Sequence, residues 1–291
     1  MIDLRRACGG HGFLMSSGIA ALEADFKGPN TTAEGDFVLL SLQTARFLMK
    51  SLSAAKRGEP LSGLAACLGP LSKPDFSPMM HGKTLLHLPE HPTQEQYLDF
   101  NNLVKLFELR SLVAIARAGQ VLEAAQHSMS SHQAWNHSAR QLYTATKCHV
   151  RYFIISKFAA VIKETKDISC KSALSRLCCL FGLCDILEGE QWNSIILDIE
   201  PVEAAVSTLC LALRPDVVAL TDAFEFPDRV LNSAIGKFNG APYEALYEAA
   251  KESSINKNAV EGVPTFMYAL KPYLDLELLK DANEKLPDSK L

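Results

Sequence analysis

Thr93-Gln94-Glu95-Gln96 stands directly after Pro92 and opens a run of helix-forming residues that continues to about Ser128. A threonine followed three residues later by a glutamine is a capping-box pattern, in which each side chain takes the other's free backbone N–H. Leu103, Phe107, Arg110, Ala114 and Arg117 recur at helical spacing, so one long helix is predicted. A second is predicted from about His132 to Lys166, with Trp135, Leu142, Tyr143, Tyr152, Phe153, Ile155, Phe158 and Val161 as its apolar residues. Two helices of this length, joined by a serine-rich break, predict an antiparallel hairpin.

On either side of this hairpin the signals stay helical. Phe37 to about Lys56 is rich in Leu, Ala, Gln, Arg and Met without proline or glycine, and Gly58-Glu59-Pro60 stops it. The proline- and glycine-bearing stretch 59–92 is read as a connector and domain boundary. Ser169 is placed as the cap of a further helix that ends near Gly189. Pro201, Pro215 and Pro227 suit first-turn positions, where the missing N–H costs nothing. Gly236 is read as a stop and Asn239-Gly240 as a turn, with last helices over 241–252 and 266–285. No alternating strand pattern and no internal repeat stand out. The predicted class is all-α, built as helical bundles.

The composition, 48% hydrophobic and 21% charged over 291 residues, is that of an ordinary globular chain with length for two cores. A net charge of −4 leaves no basic footprint for nucleic acid. No uninterrupted apolar run of membrane-spanning length is present, so no membrane span is expected. Met1-Ile2-Asp3-Leu4-Arg5 lacks the apolar core of a signal peptide. The eight cysteines form no Cys-x-x-Cys pair and are expected to be reduced, buried thiols. His127, His132 and His137 lack metal-ligand spacing and a completing carboxylate, so no metal site is expected. No serine sits in a nucleophile-elbow pattern. Ser289-Lys290-Leu291 matches the receptor-read peroxisomal address, which implies an import receptor as partner and a peroxisomal (or glycosome-like) location.

Two short features could carry chemistry. Gly9-Gly10-His11-Gly12 would let backbone N–H groups approach a pyrophosphate closely, or could be a plain turn between helices. Glu34, before Gly35-Asp36 and the leucine-rich helix, could project into a cleft as a base whose pKa rises on desolvation. It could equally be an acid favoured by the helix dipole. Spacing alone leaves both alternatives open.

Taken jointly, three motifs near the start resemble the peroxisomal acyl-CoA oxidase family, itself related to the acyl-CoA dehydrogenases. They are Arg5-Arg6-Ala7-Cys8-Gly9-Gly10-His11-Gly12-Phe13, Glu34-Gly35-Asp36 and Leu42-Gln43-Thr44-Ala45-Arg46-Phe47-Leu48-Met49-Lys50. Arg214-Pro215-Asp216, Leu220 to Asp228 and Tyr243-Glu244-Ala245-Leu246-Tyr247 resemble the end of the family's C-terminal helical domain. The resemblance implies FAD as cofactor and fatty acyl-CoA as substrate. Glu34 occupies the place of the base that removes the α-proton while the β-hydrogen leaves as hydride to the flavin. The products are trans-2-enoyl-CoA and, after oxygen takes the electrons, hydrogen peroxide. Gly9 and Gly10 match the backbone that meets the FAD pyrophosphate, and Arg6 stands where the dehydrogenases carry a cofactor-touching glutamine. Glu34 and Gly35 face the substrate thioester, and Arg46 holds a family position on the following helix, as a ligand contact or a surface ion pair. Ala33 replaces a usual aromatic, and Asp36-Phe37-Val38 stands where the oxidases read Glu-Asn-Thr. Residues 1–58 then correspond to the later part of the first C-terminal helical domain, 59–92 to a connector, 93–288 to the second C-terminal domain and 289–291 to the targeting tail. The N-terminal helical domain and the β-domain that wall the flavin lie outside this sequence, so the chain alone is expected to bind FAD weakly and to show little oxidase activity. A homodimer, or pairing with a full-length oxidase subunit, is the implied assembly, and a non-catalytic partner module is the alternative function.

Overall fold

A computed structural model describes residues 2–257, apart from 33–34, 74, 190–191, 193–194 and 197, together with Leu270 and Tyr273. Glu34, the predicted helix over 266–285 and the tail Ser289-Lys290-Leu291 therefore lie outside the described residues. Among the described residues every regular element is helical and no strand occurs. The α-helices are α1 (Ile2–Ala7), α2 (Gly9–Phe13), α3 (Ile19–Thr32), α4 (Phe37–Lys56), α5 (Pro78–Leu85), α6 (Gln94–Tyr97), α7 (Phe100–Gln126) and α8 (Ser131–His137). They continue with α9 (Ala139–Glu164), α10 (Ile168–Glu188), α11 (Glu200–Leu213), α12 (Val217–Asp222), α13 (Asp228–Leu231), α14 (Pro242–Glu252) and α15 (Ser254–Lys257).

The chain divides into two compact units, one made of 1–31 with 224–291 and the other of 32–223. The larger unit is organised by α7 and α9. Leu103, Leu106 and Phe107 of α7 share a buried cluster with Ile155 and Ile162 of α9. Further along α7, Leu112, Ile115 and Leu122 share another with Leu142 and Ala145. Rising numbers on one helix meet falling numbers on the other, so the pair is the expected antiparallel hairpin. At its middle the Ser111 hydroxyl and His149 Nδ1 are 3.1 Å apart. Each of these large side chains contributes about 1.5–3 kcal/mol by leaving water. Helix α4 lays Ala45, Leu48 and Leu52 on the second cluster, and Thr146 of α9 donates to the Ser41 carbonyl at 2.8 Å. The 59–92 stretch holds a 3-10 helix (Gly63–Ser72) and α5, and its Leu68 and Leu71 join the same cluster.

Element ends depart from the sequence reading at several points, two of them where an aspartate takes backbone N–H groups. The Thr93 capping box forms, but it caps only the single turn of α6. The Asp99 carboxylate then takes the Asn101 N–H at 2.9 Å and starts α7 afresh. The second long helix is likewise split, α8 ending at His137 and α9 beginning after the buried Ser138. Asp167, not Ser169, caps α10, accepting the Cys170 N–H at 2.7 Å. Pro201 takes its first-turn place, whereas Pro227 precedes only the four residues of α13, which stop at left-handed Asn232 (φ 45°) rather than at Gly236. All eight cysteines are free thiols, but Cys8, Cys170 and Cys210 are exposed rather than buried.

The run Glu200–Asp222 is one helical stretch long and apolar enough to cross a membrane by length and composition, and 17% of its most apolar window is buried. Its middle carries Arg214, Pro215 and Asp216. Arg176 of α10 holds it there, donating to the Ala212 carbonyl at 2.7 Å and to Asp216 at 2.8 Å. Val202, Ala205 and Leu209 pack into the core cluster, so one face is seated against protein and the other presents Leu211, Val217 and Val218 outward.

The smaller unit joins the N-terminal helices to the 224–252 region. The Ser233 hydroxyl donates to the Ser17 carbonyl, and the Ala234 N–H donates to the Ser16 carbonyl at 3.2 Å. Gly18 lies between them at φ +78°, where a Cβ would sit 2.6 Å from the Asn232 carbonyl oxygen. Only glycine permits that approach.

Candidate active site

Arg6, Gly9 and Gly10 belong to the smaller unit. Gly9 opens α2 at φ +56°, and no atom lies within 4 Å of where a Cβ on Gly9 or Gly10 would stand. Both glycines are exposed, so their backbone is open to a ligand. The turn is held from behind by a residue that sequence reasoning passed over. Arg5, not Arg6, donates from Nε to the Gly12 carbonyl at 2.8 Å and pairs through Nη1 with buried Glu23 at 2.8 Å. A Cβ on Gly12 would stand 2.0 Å from the Arg5 carbonyl oxygen. Gly12 is thus the glycine that packing demands, while Gly9 and Gly10 face outward. Arg6 is exposed and, among the described residues, pairs with Asp3 at 3.5 Å, a contact of little energetic weight.

Gly35 and Arg46 belong to the larger unit. Gly35 sits at φ +129°, a backbone conformation that side-chain-bearing residues rarely adopt. Asp36 follows as the N-cap of α4, its carboxylate accepting the Val38 and Leu39 N–H groups at 2.8 and 3.0 Å. Two donors at that helix start are therefore consumed internally and do not face a ligand oxygen. The first turn of α4 instead presents Phe37, Val38, Leu39 and Leu40 outward. Arg46, one face round on α4, makes no ion pair among the described residues. Its guanidinium carbon lies 5.7 Å from the Trp135 ring centroid on α8, so it stacks on an aromatic rather than forming a surface salt bridge.

The glycines carried a sequence signal, because glycine pairs mark close backbone approach. Arg5 and Asp36 carried none that separates them from their neighbours Arg6 and Glu34. Among the described residues no group of three His, Cys, Asp or Glu is placed to hold a metal ion.

Comparison with known proteins gives these positions a context. The acyl-CoA oxidase family model matches residues 99–275, and the acyl-CoA oxidase C-alpha1 domain model matches residues 1–49. Peroxisomal acyl-coenzyme A oxidase 1 of Bos taurus is 34% identical over 263 residues, which is 88% of this chain and 38% of the bovine protein. The crystal structure of Yarrowia lipolytica acyl-CoA oxidase 1 superposes with a TM-score of 0.80 at 28% identity, covering 99% of this chain and 39% of that one. Caenorhabditis elegans acyl-CoA oxidase-1, complexed with FAD and ATP, superposes with a TM-score of 0.75 at 29% identity over 94% of this chain and 40% of that one. The chain thus spans about two fifths of the length of the relatives it matches. It belongs to the acyl-CoA oxidase family.

Proposed function

We propose that this chain is the part of a peroxisomal acyl-CoA oxidase that carries the catalytic base and one edge of the FAD site, acting in fatty acid β-oxidation. The observation that carries the reading is the open Gly9-Gly10 backbone inside a segment matched by the C-alpha1 family model. Glu34 removes the α-proton of a fatty acyl-CoA. Gly9 and Gly10 leave room for the FAD pyrophosphate, and exposed Arg6 offsets its charge. Bound FAD supplies the hydride acceptor for the oxidation. Gly35 gives the chain the turn it needs beside the base, and Arg46 reaches toward the acyl-CoA. Proton abstraction next to a thioester needs a dry pocket, so the catalytic form includes chain that covers this region. Residues 1–58, 59–92 and 93–288 act as the end of one helical domain, its connector and the second helical domain. The Ser289-Lys290-Leu291 tail is read by the peroxisomal import receptor, and the assembly is a homodimer or a pair with a full-length oxidase subunit.

A second reading has its own support. The outward apolar residues Phe37 to Leu40 on α4 and Leu211, Val217 and Val218 on α11 and α12 suit a non-catalytic helical module that docks on a full-length oxidase. One experiment separates the two. The chain is purified alone, and also together with a full-length oxidase whose own base has been replaced by glutamine. Flavin absorption and palmitoyl-CoA-dependent peroxide release are then measured. The chain alone is expected to bind FAD more weakly than about 10 μM. In the assembly, Glu34→Gln is expected to lower peroxide release by about 10²–10⁴-fold with flavin content unchanged. Co-purification with no Glu34-dependent peroxide would overturn the catalytic reading in favour of the module.

A further inference from the structure

Apart from the glycine turn, the larger unit holds a polar cavity of about 350 Å³ where α7, α9 and α10 meet, lined by Arg110, Lys147, Cys148, Arg151, Asp185 and Glu188. Its floor is a fixed charge network. Asp185 accepts from Arg110 Nη1 at 2.6 Å and from Trp192 Nε1 at 3.3 Å, and it forms an ion pair with Arg151, whose Nε lies 3.1 Å away. Its carboxylate is therefore well supplied with donors. Arg110, with a side chain only 4% exposed, lies against two rings, its guanidinium carbon 4.7 Å from the Phe107 centroid and 4.1 Å from that of Trp192. The rings stabilise its charge but accept no ordinary hydrogen bond, and its Nε and Nη2 have no partner among the described residues. Arg151 is half-exposed with its Nε side committed to Asp185 and, among the described residues, no hydrogen bond from the other edge of its fork. Lys147 makes no ion pair among the described residues, its ammonium resting 5.7 Å from the Tyr143 centroid.

We propose that this cavity binds a small tetrahedral oxyanion of the phosphate or phosphomonoester class, held by Lys147 and the free edge of Arg151 above buried Arg110. Three cationic side chains meet two carboxylates here, and Asp185 is already shared among two hydrogen-bond donors and the Arg151 ion pair. A dianion reverses that surplus, and the planar guanidinium fork of Arg151 suits paired phosphate oxygens. The volume exceeds what one phosphate needs, which leaves room for a small ester group. Glu188 shares the lining and opposes an anion, so it weakens the site and offers a test of sign.

Inorganic phosphate and phenyl phosphate serve as probes, titrated calorimetrically into the full chain at constant ionic strength and neutral pH, with chloride as control. Saturable binding with Kd of about 1 mM or tighter is expected for at least one probe. Lys147→Met, which removes a cation–ring contact with Tyr143 and no ion pair among the described residues, is expected to weaken it about tenfold. Glu188→Gln is expected to tighten it about threefold. Arg151→Gln should abolish binding, and circular dichroism would confirm that the helices persist. Preference for phenyl phosphate assigns the site to a phosphomonoester, and preference for phosphate assigns it to the free ion. No saturable binding by about 20 mM of either, or equal affinity of wild type and Lys147→Met, would overturn the proposal.

Discussion

Removing Asp185 should damage the larger unit far more than removing the arginine it neutralises. In Asp185→Ala, Arg110 keeps its charge in a site where its side chain is 4% exposed, packed against the Phe107 and Trp192 rings and with no other ion pair among the described residues. Those ring contacts contribute about 0.5–2 kcal/mol each and do not replace a carboxylate. Breaking one side of a buried pair costs about 3–5 kcal/mol, mostly the stranded charge. Arg151 adds little to this sum, because its half-exposed charge is screened by water. Arg110→Met removes the buried charge itself and fills much of the same volume. Asp185 keeps Arg151 and the Trp192 N–H, so a cost of only about 1–2 kcal/mol is expected. Urea unfolding followed by tryptophan fluorescence reads the right unit, because both tryptophans, Trp135 and Trp192, lie within it. With a urea slope of about 2 kcal/mol per molar, Asp185→Ala should lower the midpoint by about 1.5–2.5 M and Arg110→Met by about 0.5–1 M. In the double variant Arg110→Met/Asp185→Ala, much of the Asp185→Ala loss should be recovered, because no charge is stranded. Equal losses for the two single variants, or a double variant no better than Asp185→Ala, would refute the reasoning from an uncompensated buried charge.

Three other outcomes follow from the same structure. Burial holds the pKa of His149 below that of a free histidine, and among the described residues Ser111 is its hydrogen-bonding neighbour, so the folded state prefers the neutral ring. The unfolded chain takes up the proton below about pH 6.5, so stability is complete above that value and is lost as pH falls toward the depressed folded pKa. The loss between pH 7.5 and 5.5 is expected to be measurable by urea titration and to stay below about 1.4 kcal/mol, the limit for one group, and His149→Gln should flatten that part of the slope. In the smaller unit, Gly12→Ala should cost more than about 2 kcal/mol, since its Cβ would meet the Arg5 carbonyl at 2.0 Å. Gly10→Ala, whose Cβ enters open space, should leave thermal melting unchanged while weakening FAD binding in the assembled oxidase.

The helical class was legible because it rests on local signals: caps, helix-forming runs and apolar spacing along each segment. The breaks at Leu98 and Ser138 were not: at the first, two competing polar side chains stand close together, and at the second the Ser138 hydroxyl makes no capping bond that a sequence pattern could have marked. Thr93 and Asp99 each offer a cap within one long helix-forming run, and the structure uses both. The glycine turn was legible as a site marker, yet its three glycines do different work. Only the contact of Gly12 with Arg5 distinguishes the packed glycine from the open pair. Arg110 could be placed on a helix face by its spacing. Its burial could not be read, because Asp185 lies 75 residues away and the rings of Phe107 and Trp192 come together only in the folded unit.

The start of α4 decides how far the proposed chemistry can reside in this chain. A carboxylate acts as a base toward a weakly acidic carbon only if water is kept away, since desolvation is what raises its proton affinity. Immediately after Gly35, the helix places Phe37, Val38 and Leu39 at least half exposed, with Asp36 taking the first free N–H groups for itself. An apolar, uncovered first turn cannot dry its surroundings, but it is well suited to being covered. When a second protein surface closes over those side chains, their burial contributes about 1.5–3 kcal/mol each, and the same closure removes water from the residues that precede them. Docking and activation are then one event, and Phe37→Ser should weaken both in parallel. If Phe37→Ser lowered Glu34-dependent peroxide release while leaving co-purification with the full-length oxidase untouched, the coupling would be wrong, and the exposed turn would belong to the substrate rather than to a partner.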